Sequence, residues 1–255
     1  MRIITYNVNG IRSALKKGLG EWLKTDPADV ICLQEIKANQ EDIPLEDILG
    51  AGYEAYFYSA QKKGYSGVAI LTKIKPDQVL YGNGISQSDE EGRVIRADFG
   101  DITLINAYFP SGTTGELRQG YKYQWLDEFY HHLQEVGQAR SNLIVCGDYN
   151  IVHQPIDIHD PKGNKKSSGF LPEERAWLDK FFSQGGFTDT FRHFNKEPHQ
   201  YSWWSNFKGA RENNKGWRID YINVTGPLVT NLVHAEILPS IKHSDHCPVF
   251  LELAT

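Results

Sequence analysis

The sequence predicts an α/β fold in which two β-sheets pack together and helices flank them. Many short runs rich in Val, Ile, Leu and aromatic residues are typical of buried strands. Amphipathic segments separate some of these runs, but less regularly than in a strict alternation of strands and helices. The pattern therefore favours a layered two-sheet sandwich.

Eight runs support the strand prediction. In chain order they are RIITYNV, DVICLQE, GVAILTK, VIRADF, ITLINAYF, NLIVCGDYN, RIDYINV and PVFLEL. The helical pattern is clearest in GLGEWLKTD, in YQWLDEFYHHLQEVGQA and in LPEERAWLDKFFSQGG, which opens near Pro172 and ends at Gly185. Because no repeat, low-complexity tract or linker interrupts the chain, we expect one domain over residues 1–255.

The composition is that of a globular protein. The chain has 255 residues, of which 40% are hydrophobic and 12% aromatic, and no apolar run approaches the roughly 20 residues of a membrane span. The N-terminal stretch mixes polar residues into its apolar run, unlike a signal peptide, so a cytoplasmic location is expected. Cys32, Cys146 and Cys247 show no CxxC spacing and are expected to be reduced packing residues.

The net charge of -5 argues against a protein that coats nucleic acid non-specifically. A polyanion would therefore bind at a local basic patch. The candidate patches are Lys62 with Lys63, Arg118 with Lys122, Lys162 with Lys165 and Lys166, and Lys208 with Arg211, Lys215 and Arg218. For each patch the ordinary alternative is a solvated loop charge.

Polar side chains occur where the predicted strands end or begin. Those after strands are Asn7, Glu35, Tyr108, Asp148 and Asn150, and those before strands are Asp220, Asp245 and His246. In a mixed sheet, the carboxyl end of one strand lies beside the amino end of an antiparallel neighbour, so all eight side chains could share one edge. Singly, each has an ordinary role in a turn or in packing, but together they favour a functional site.

The ligand types at this edge favour a hard cation. Carboxylate and amide oxygens without a zinc-type His/Cys set suit Mg²⁺ or Mn²⁺. Such an ion polarises a phosphoryl oxygen, and a carboxylate can orient or deprotonate the attacking water. The residues therefore predict phosphate-ester hydrolysis, with His246 and a partner carboxylate binding or stabilising the reacting phosphate.

Seven motifs occur in the order typical of one family: NVNGIR, LQEIK, AYFPSG, GDYNIVHQPIDI, NKKSSGFLPEER, GWRIDYINV and SDHCPV. From Met1 to the last strand the chain resembles the exonuclease III family of abasic-site (AP) endonucleases, within the endonuclease/exonuclease/phosphatase superfamily. The resemblance implies the DNase I-like fold, a four-layer α/β sandwich in which two packed mixed β-sheets are flanked by helices.

The resemblance also implies roles for the residues at the strand ends. The implied catalytic residues are Tyr108, Asp148, Asn150, Asp220 and His246, and the implied metal residues are Asn7, Glu35, Asp148, Asn150 and Asp245. In the family pattern Glu35 holds Mg²⁺, Asp148 activates or orients the water, and Asp220 orients His246. The chain departs from some members in having Asn9 where they have an Asp, and Ser111 and Ser167 where they have an Asn.

The expected DNA contacts combine the motif matches with the basic patches. They are Ser111, Lys122, Asn164, Lys165, Lys166, Ser167, Trp203, Phe207, Trp217 and Ile219. By resemblance, Trp203, Trp217 and Ile219 line a pocket for a flipped-out abasic sugar, whose missing base lowers the cost of extrusion. Phe207 is expected to wedge into the duplex.

The sequence thus predicts a Mg²⁺-dependent phosphodiesterase, in which Mn²⁺ can substitute, that incises duplex DNA 5′ to abasic sites. The expected partners are double-stranded DNA with abasic sites or blocked 3′ ends and no membrane, and a monomer is expected. Two alternatives remain: a superfamily phosphatase acting on inositol phosphates or phospholipids, and a catalytically silent DNA-binding module. Hydrolysis of a small phosphate ester would favour the first, and loss of the strand-end residues, all of which are present, would favour the second.

Overall fold

The computed structural model of the protein describes residues 1–254. The fourteen strands in this range are β1 (Arg2–Asn7), β2 (Val30–Gln34), β3 (Glu54–Tyr58), β4 (Val68–Thr72), β5 (Gln78–Tyr81), β6 (Val94–Phe99), β7 (Ile102–Tyr108), β8 (Asn142–Asp148), β9 (Phe187–Asp189), β10 (Trp203–Trp204), β11 (Gly216–Trp217), β12 (Asp220–Thr225), β13 (Leu232–Ile237) and β14 (Val249–Leu253). The seven α-helices are α1 (Ile11–Lys16), α2 (Leu19–Leu23), α3 (Glu46–Gly50), α4 (Ser86–Glu90), α5 (Glu116–Ala139), α6 (Pro172–Ser183) and α7 (Thr190–Phe194).

The strands form two six-stranded sheets and one two-stranded ribbon. The first sheet has the order β13-β14-β1-β2-β4-β3, the second has the order β5-β6-β7-β8-β12-β9, and β10 pairs with β11. In each large sheet one central pair is parallel, β1 with β2 and β7 with β8, and the other pairs are antiparallel. Both sheets are therefore mixed, as predicted.

Three apolar clusters give the molecule its four layers. The inner cluster lies between the sheets and joins Ile3 and Cys32 of the first sheet to Ile144 of the second. A second cluster packs the first sheet against α1 to α3, and a third packs the second sheet against α5 and α6. Because each sheet is covered on both faces, its central strands are apolar throughout, which is why they were recognisable as continuous runs.

The structure confirms the eight predicted strands and the three predicted helices, with α6 beginning at Pro172. Six strands were not predicted: β3, β5, β9, β10, β11 and β13. Three of them are only two or three residues long, and β3, β5 and β13 are edge strands with mostly exposed or half-buried residues. Short or exposed strands lack the apolar run on which the prediction depended.

Two bulk expectations can be compared directly with the structure. Cys32, Cys146 and Cys247 are buried free thiols, as predicted. Within residues 1–254, no helix combines the length and the apolar character needed to cross a membrane.

Candidate active site

The sheet topology brings the predicted polar residues to one edge of the sandwich. Asn7 ends β1, Tyr108 ends β7 and Asp148 ends β8, while Glu35 directly follows β2. Asp220, the first residue of the antiparallel strand β12, is paired in register with Asp148. The parallel pair at the centre of each sheet thus presents its carboxyl end to the same cleft, and β12 adds its amino end.

Asn7 links the carboxylates of the two sheets. It is fully buried, and its Nδ2 donates to Glu35 Oε1 at 2.9 Å and to Asp148 Oδ2 at 2.8 Å. Its Oδ1 accepts a hydrogen bond from the backbone N–H of Asn9 at 2.9 Å. This arrangement favours Asn7 as a residue that orients the two carboxylates. Direct metal ligation would require its side-chain amide to flip, so that Oδ1 instead of Nδ2 faces the carboxylates.

Glu35 is held as an anion at the mouth of the cleft. Burial opposes its ionisation, but Lys37, whose Nζ lies 2.6 Å from Glu35 Oε2, and the Asn7 amide hold the pKa of Glu35 below its ordinary value. Glu35 and Lys37 both adopt a left-handed backbone conformation, with φ of 50°. That local turn allows two residues so close in sequence to form the ion pair.

Asp220 fixes the orientation of His246. Its Oδ2 accepts from Ser202 Oγ at 2.6 Å and lies 2.9 Å from His246 Nδ1. The opposite ring nitrogen, Nε2, faces Asp148 Oδ2 at 3.9 Å. Burial opposes protonation of the imidazole, but the charge of Asp220 outweighs it and raises the pKa of His246.

Asp148 is buried in the centre of the cleft beside other carboxylates. Burial, and after it the charge of Asp220, raise the pKa of Asp148 above its ordinary value. Its Oδ1 accepts from the backbone N–H of Asn150 at 2.8 Å, and Asn150 Nδ2 donates to Phe109 O at 3.0 Å. Asn150 is therefore positioned by both strands of the parallel pair β7 and β8.

Tyr108 contributes a protonated phenol to the cleft. Burial and the nearby Glu35 charge hold the pKa of Tyr108 well above its ordinary value. The guanidinium of Arg93 lies over the Tyr108 ring, 4.9 Å from its centroid, and donates to the Tyr108 carbonyl at 2.8 Å. Since Arg93 is itself buried, it fixes the backbone and the ring of Tyr108 together.

The cleft contains a pocket of about 250 Å³ with one charged and one apolar wall. Its lining residues are Glu35, Tyr108, Ser111, Thr113, Asp148, Asn150, Ser168, Trp203, Trp217, Ile219, Asp245 and His246. On the apolar wall, the rings of Trp203 and Trp217 meet edge to face at 5.7 Å. The pocket is thus shaped for a ligand that combines an anionic group with an apolar or sugar-like portion.

Asp245 joins the two walls of this pocket. Its Oδ2 accepts from Trp203 Nε1 at 3.1 Å, and its Oδ1 accepts from Asn9 Nδ2 and Ser244 Oγ, each at 3.0 Å. Burial opposes ionisation of Asp245, but the charge of His246 and these donors hold its pKa below the ordinary value. Its predicted metal role stays a prediction.

The residues of the cleft fit a divalent cation. One ligand atom each of Glu35, Asp148 and His246 lies within 4.8 Å of the others. His246 Nδ1 is engaged by Asp220, and the two carboxylates supply the hard oxygen donors that Mg²⁺ and Mn²⁺ prefer. In the cleft, the carboxylates of Glu35, Asp148, Asp220 and Asp245 outnumber the cations Lys37 and His246, so the site can accommodate a further positive charge.

The predicted DNA contacts fall into three groups. The first group lines the pocket and consists of Ser111, Trp203, Trp217 and Ile219. The second is Phe207 alone, whose side chain is exposed. The side chains of Asn164 and Ser167 bond within their own loop, where Ser167 Oγ donates to Asn164 Oδ1 at 3.1 Å, while Lys165 and Lys166 are exposed. Lys122 is the exception.

The prediction that Lys122 contacts DNA is wrong. Lys122 is fully buried, where its Nζ donates to Glu174 Oε1 at 2.6 Å and to the carbonyl of Asn150 at 2.8 Å. Among the other candidate cations, Arg218 is also buried, paired with Asp157 and Asp189. Both cations are enclosed by carboxylates that lie far away in sequence, so charge alone could not distinguish them from surface cations.

Three supporting residues were not predicted from the sequence. Lys37 pairs with Glu35, Ser202 holds Asp220, and Ser168 lines the pocket. The signal for Lys37 was its place two residues after Glu35 within the LQEIK motif. The two serines carried no signal, because their roles depend on partners that only the tertiary fold brings near.

Comparison with known proteins identifies the family of the chain. The model of the endonuclease/exonuclease/phosphatase family matches residues 4–246, which is nearly the whole chain. The chain belongs to this family. It is 41% identical to an exodeoxyribonuclease of Bacillus subtilis over 255 residues, a match that covers 98% of both chains.

Solved structures of other proteins have the same fold. An AP endonuclease from Archaeoglobus fulgidus superposes with a TM-score of 0.91 at 34% identity, with 100% of both chains covered. A variant of the 3′ phosphatase NExo from Neisseria, bound to a product DNA hairpin, superposes with a TM-score of 0.92 at 26% identity, again over 100% of both chains. These matches confirm the predicted four-layer sandwich.

Proposed function

We propose that the protein is a Mg²⁺-dependent DNA repair phosphodiesterase that incises duplex DNA 5′ to abasic sites, leaving a 3′-hydroxyl and a 5′-deoxyribose phosphate. Its relatives include an exodeoxyribonuclease, an AP endonuclease and a 3′ phosphatase, so 3′-end processing of blocked DNA is part of the proposal. The protein acts as a monomer in the cytoplasm, and Mn²⁺ substitutes for Mg²⁺.

The observation that supports this function best is the two-sided pocket. One wall carries Asp148, Asn150 and His246, which suit a phosphodiester, and on the other Trp203, Trp217 and Ile219 form an apolar surface. A deoxyribose without its base presents an anionic phosphate and an apolar ring face, which matches both walls. The missing base also lowers the cost of unstacking the sugar from the duplex, which favours an abasic site over an intact nucleotide.

The residues of the charged wall divide the reaction between them. Asp148 accepts a proton from water as the water oxygen bonds to phosphorus, and the bond from phosphorus to the 3′ oxygen breaks. The leaving 3′ oxygen then takes up a proton from solvent. His246, held through Nδ1 by Asp220, binds a phosphate oxygen through Nε2, and the Asn150 amide and the Tyr108 phenol donate to the same phosphate.

The divalent cation would be held by Glu35 and Asp148, oriented by Asn7, with the Asn150 amide nearby. When bound, such an ion polarises a phosphoryl oxygen and neutralises charge that develops on the phosphate. Lys37 favours the ionised form of Glu35.

Truncation of the apolar wall is expected to reduce preference for abasic DNA. Trp217→Ala removes the ring that packs against Trp203, and we expect kcat/KM on an abasic duplex to fall about tenfold, which corresponds to a loss of about 1.4 kcal/mol of apolar contact with the sugar. Trp217→Phe, which keeps an aromatic ring, is the matched control. Unchanged discrimination between abasic and intact duplexes in Trp217→Ala would remove the sugar pocket from the proposal.

A comparison of three substrates tests the proposed function. The protein is incubated with an end-labelled duplex carrying one abasic-site analogue, with the same duplex intact, and with an inositol phosphate, each in Mg²⁺ and in EDTA. We expect cleavage of the abasic duplex in Mg²⁺ alone. Hydrolysis of the inositol phosphate without cleavage of DNA would instead establish the phosphatase alternative, and binding of abasic DNA without cleavage in Mg²⁺ or Mn²⁺ would establish a silent module.

A further inference from the structure

The buried pair formed by Lys122 and Glu174 lies directly behind the pocket. Lys122 belongs to α5 and Glu174 to the first turn of α6, and both side chains are fully buried, with Nζ and Oε1 2.6 Å apart. Burial of two charges is costly, and replacing such a pair by well-packed hydrophobic residues of similar volume is often neutral for stability or stabilising. Stability alone therefore does not explain the pair.

The pair contacts backbone on both sides of the pocket. Lys122 Nζ donates to the Asn150 carbonyl at 2.8 Å, on the phosphate side. Glu174 Oε2 accepts from the backbone N–H groups of Gly169 at 2.6 Å and Leu171 at 2.9 Å, on the side of the apolar wall. One ion pair thus joins the loop after β8 to the segment that precedes α6.

Gln119, one turn before Lys122 on α5, extends this network to a residue that lines the pocket. Its Nε2 donates to Glu174 Oε1 at 3.1 Å, and its Oε1 accepts from Ser168 Oγ at 2.7 Å. Ser168 lines the pocket directly. The position of Ser168 is therefore determined by the same carboxylate that holds Gly169 and Leu171.

Gly169 shows how closely the two sides approach. It has a φ of 95°, and a Cβ added to it would lie 3.1 Å from the Asn150 carbonyl oxygen and 2.9 Å from Cζ3 of Trp217. The Asn150 loop, Gly169 and the Trp217 ring are therefore in close contact, with no space for a side chain at position 169. A shift of the Asn150 carbonyl or of Gly169 would be transmitted to Trp217.

We propose that Lys122 and Glu174 are positioning residues that set the separation between the phosphate side of the pocket, at Asn150, and the apolar wall, at Ser168 and Trp217. The inference rests on the proposed function, because it takes Asn150 to contact the reacting phosphate. Lys122 acts through the Asn150 carbonyl and Glu174 through the 168–171 backbone, and neither touches the substrate.

The test compares Lys122→Met with the double variant Lys122→Met/Glu174→Gln. The single variant leaves a carboxylate buried without its cation and is expected to lower the Tm by roughly 10 °C. The double variant removes both charges, and the introduced glutamine offers Gly169 and Leu171 a neutral amide oxygen, a weaker acceptor than the carboxylate, so its Tm is expected to lie between those of the single variant and the parent. If the pair had only a structural role, the double variant would regain activity together with stability.

If Lys122 and Glu174 position the two sides of the pocket, the double variant does not regain activity. In the double variant, kcat on an abasic duplex is expected to remain at least about tenfold below the parent, since a misplaced catalytic group costs rate even in a folded enzyme. Lys180→Met, a change of the same charge on an α6 lysine that lies over the Tyr130 ring, is the matched control and is expected to keep the parental kcat. Parental kcat in the folded double variant would overturn the inference.

Amide hydrogen exchange gives a readout that does not depend on activity. Peptides covering residues 149–152 and 167–171 are expected to exchange at least about tenfold faster in the double variant, while peptides from β1 and β12 exchange at the parental rate. Parental exchange in both segments would overturn the positioning role. If the parent protein itself fails to cleave abasic DNA, the proposed function fails, and the exchange result still decides whether the pair positions these segments.

Discussion

Asp148→Asn is expected to lower kcat on an abasic duplex by on the order of 10³-fold, because it removes the group that accepts the proton of the attacking water. The introduced asparagine keeps the size of the side chain, but its one oxygen can accept from Asn7 or from the Asn150 N–H and not from both. The affinity for abasic duplex, measured by fluorescence anisotropy in EDTA, is not expected to weaken, since the variant removes a negative charge from a phosphate-binding cleft.

Asp127→Asn is the matched control for this experiment. Asp127 is an exposed carboxylate on α5, and its loss changes the net charge by the same amount without touching the cleft. We expect the control to cleave at the parental rate. An Asp148→Asn protein that also cleaved at the parental rate would contradict the assignment of Asp148 to the attacking water.

The second large effect is expected on stability, at Asp157. This carboxylate is buried, and it accepts from Arg192 at 2.6 Å and from Arg218 at 2.7 Å. In the sequence, Arg218 stands between Trp217 and Ile219, which belong to the apolar wall, and its own side chain is fully buried. Asp157→Asn leaves both guanidinium groups without this anion and is expected to lower the free energy of unfolding by about 3–5 kcal/mol at pH 7, measured by urea denaturation.

The effect of Asp157→Asn is expected to depend on pH in a defined direction. Burial opposes ionisation of Asp157, but Arg218 and Arg192 outweigh it and hold its pKa below the ordinary value near 4. The stabilising contribution is therefore fully present above about pH 4 and is lost as the pH falls through the lowered pKa. The parent and the variant should converge in stability at acid pH.

Asp179→Asn is the control for the stability measurement. Asp179 pairs with His153 at the surface, with 65% of its side chain exposed, and such a pair contributes at most about 1 kcal/mol. If Asp157→Asn lowered the free energy of unfolding no more than this control does, the buried cluster would not stabilise the fold.

The central strands could be predicted because burial on both faces makes their sequences continuously apolar. β2 and β4 are buried at every residue, and both were recognised as VICLQ and VAILT within longer runs. The edge strand β13 alternates exposed and buried residues irregularly, around a register shift between Leu232 and His234. Its pairing with β14 is determined by tertiary contacts, so its sequence carried little information.

The cleft could be predicted because its residues lie where strands end, and strand ends are visible in the sequence. The register of Asp148 with Asp220 required the mixed topology, which the sequence indicated only through the order of its motifs. Lys122 was assigned to the wrong environment because helix α5 places it inward, against Glu174 fifty-two residues away. No local pattern distinguishes a lysine that faces such a partner from one that faces solvent.

The measurement that tests the central claim most directly is the position of the cut. A duplex with one abasic-site analogue is labelled in turn at the 5′ end and at the 3′ end of the damaged strand, and the products formed in Mg²⁺ are resolved to single nucleotides. We expect one incision immediately 5′ to the analogue, with a 3′-hydroxyl on one product and a 5′-deoxyribose phosphate on the other. A cut on the 3′ side, or a ladder from the 3′ end with no incision at the analogue, would contradict the proposed function.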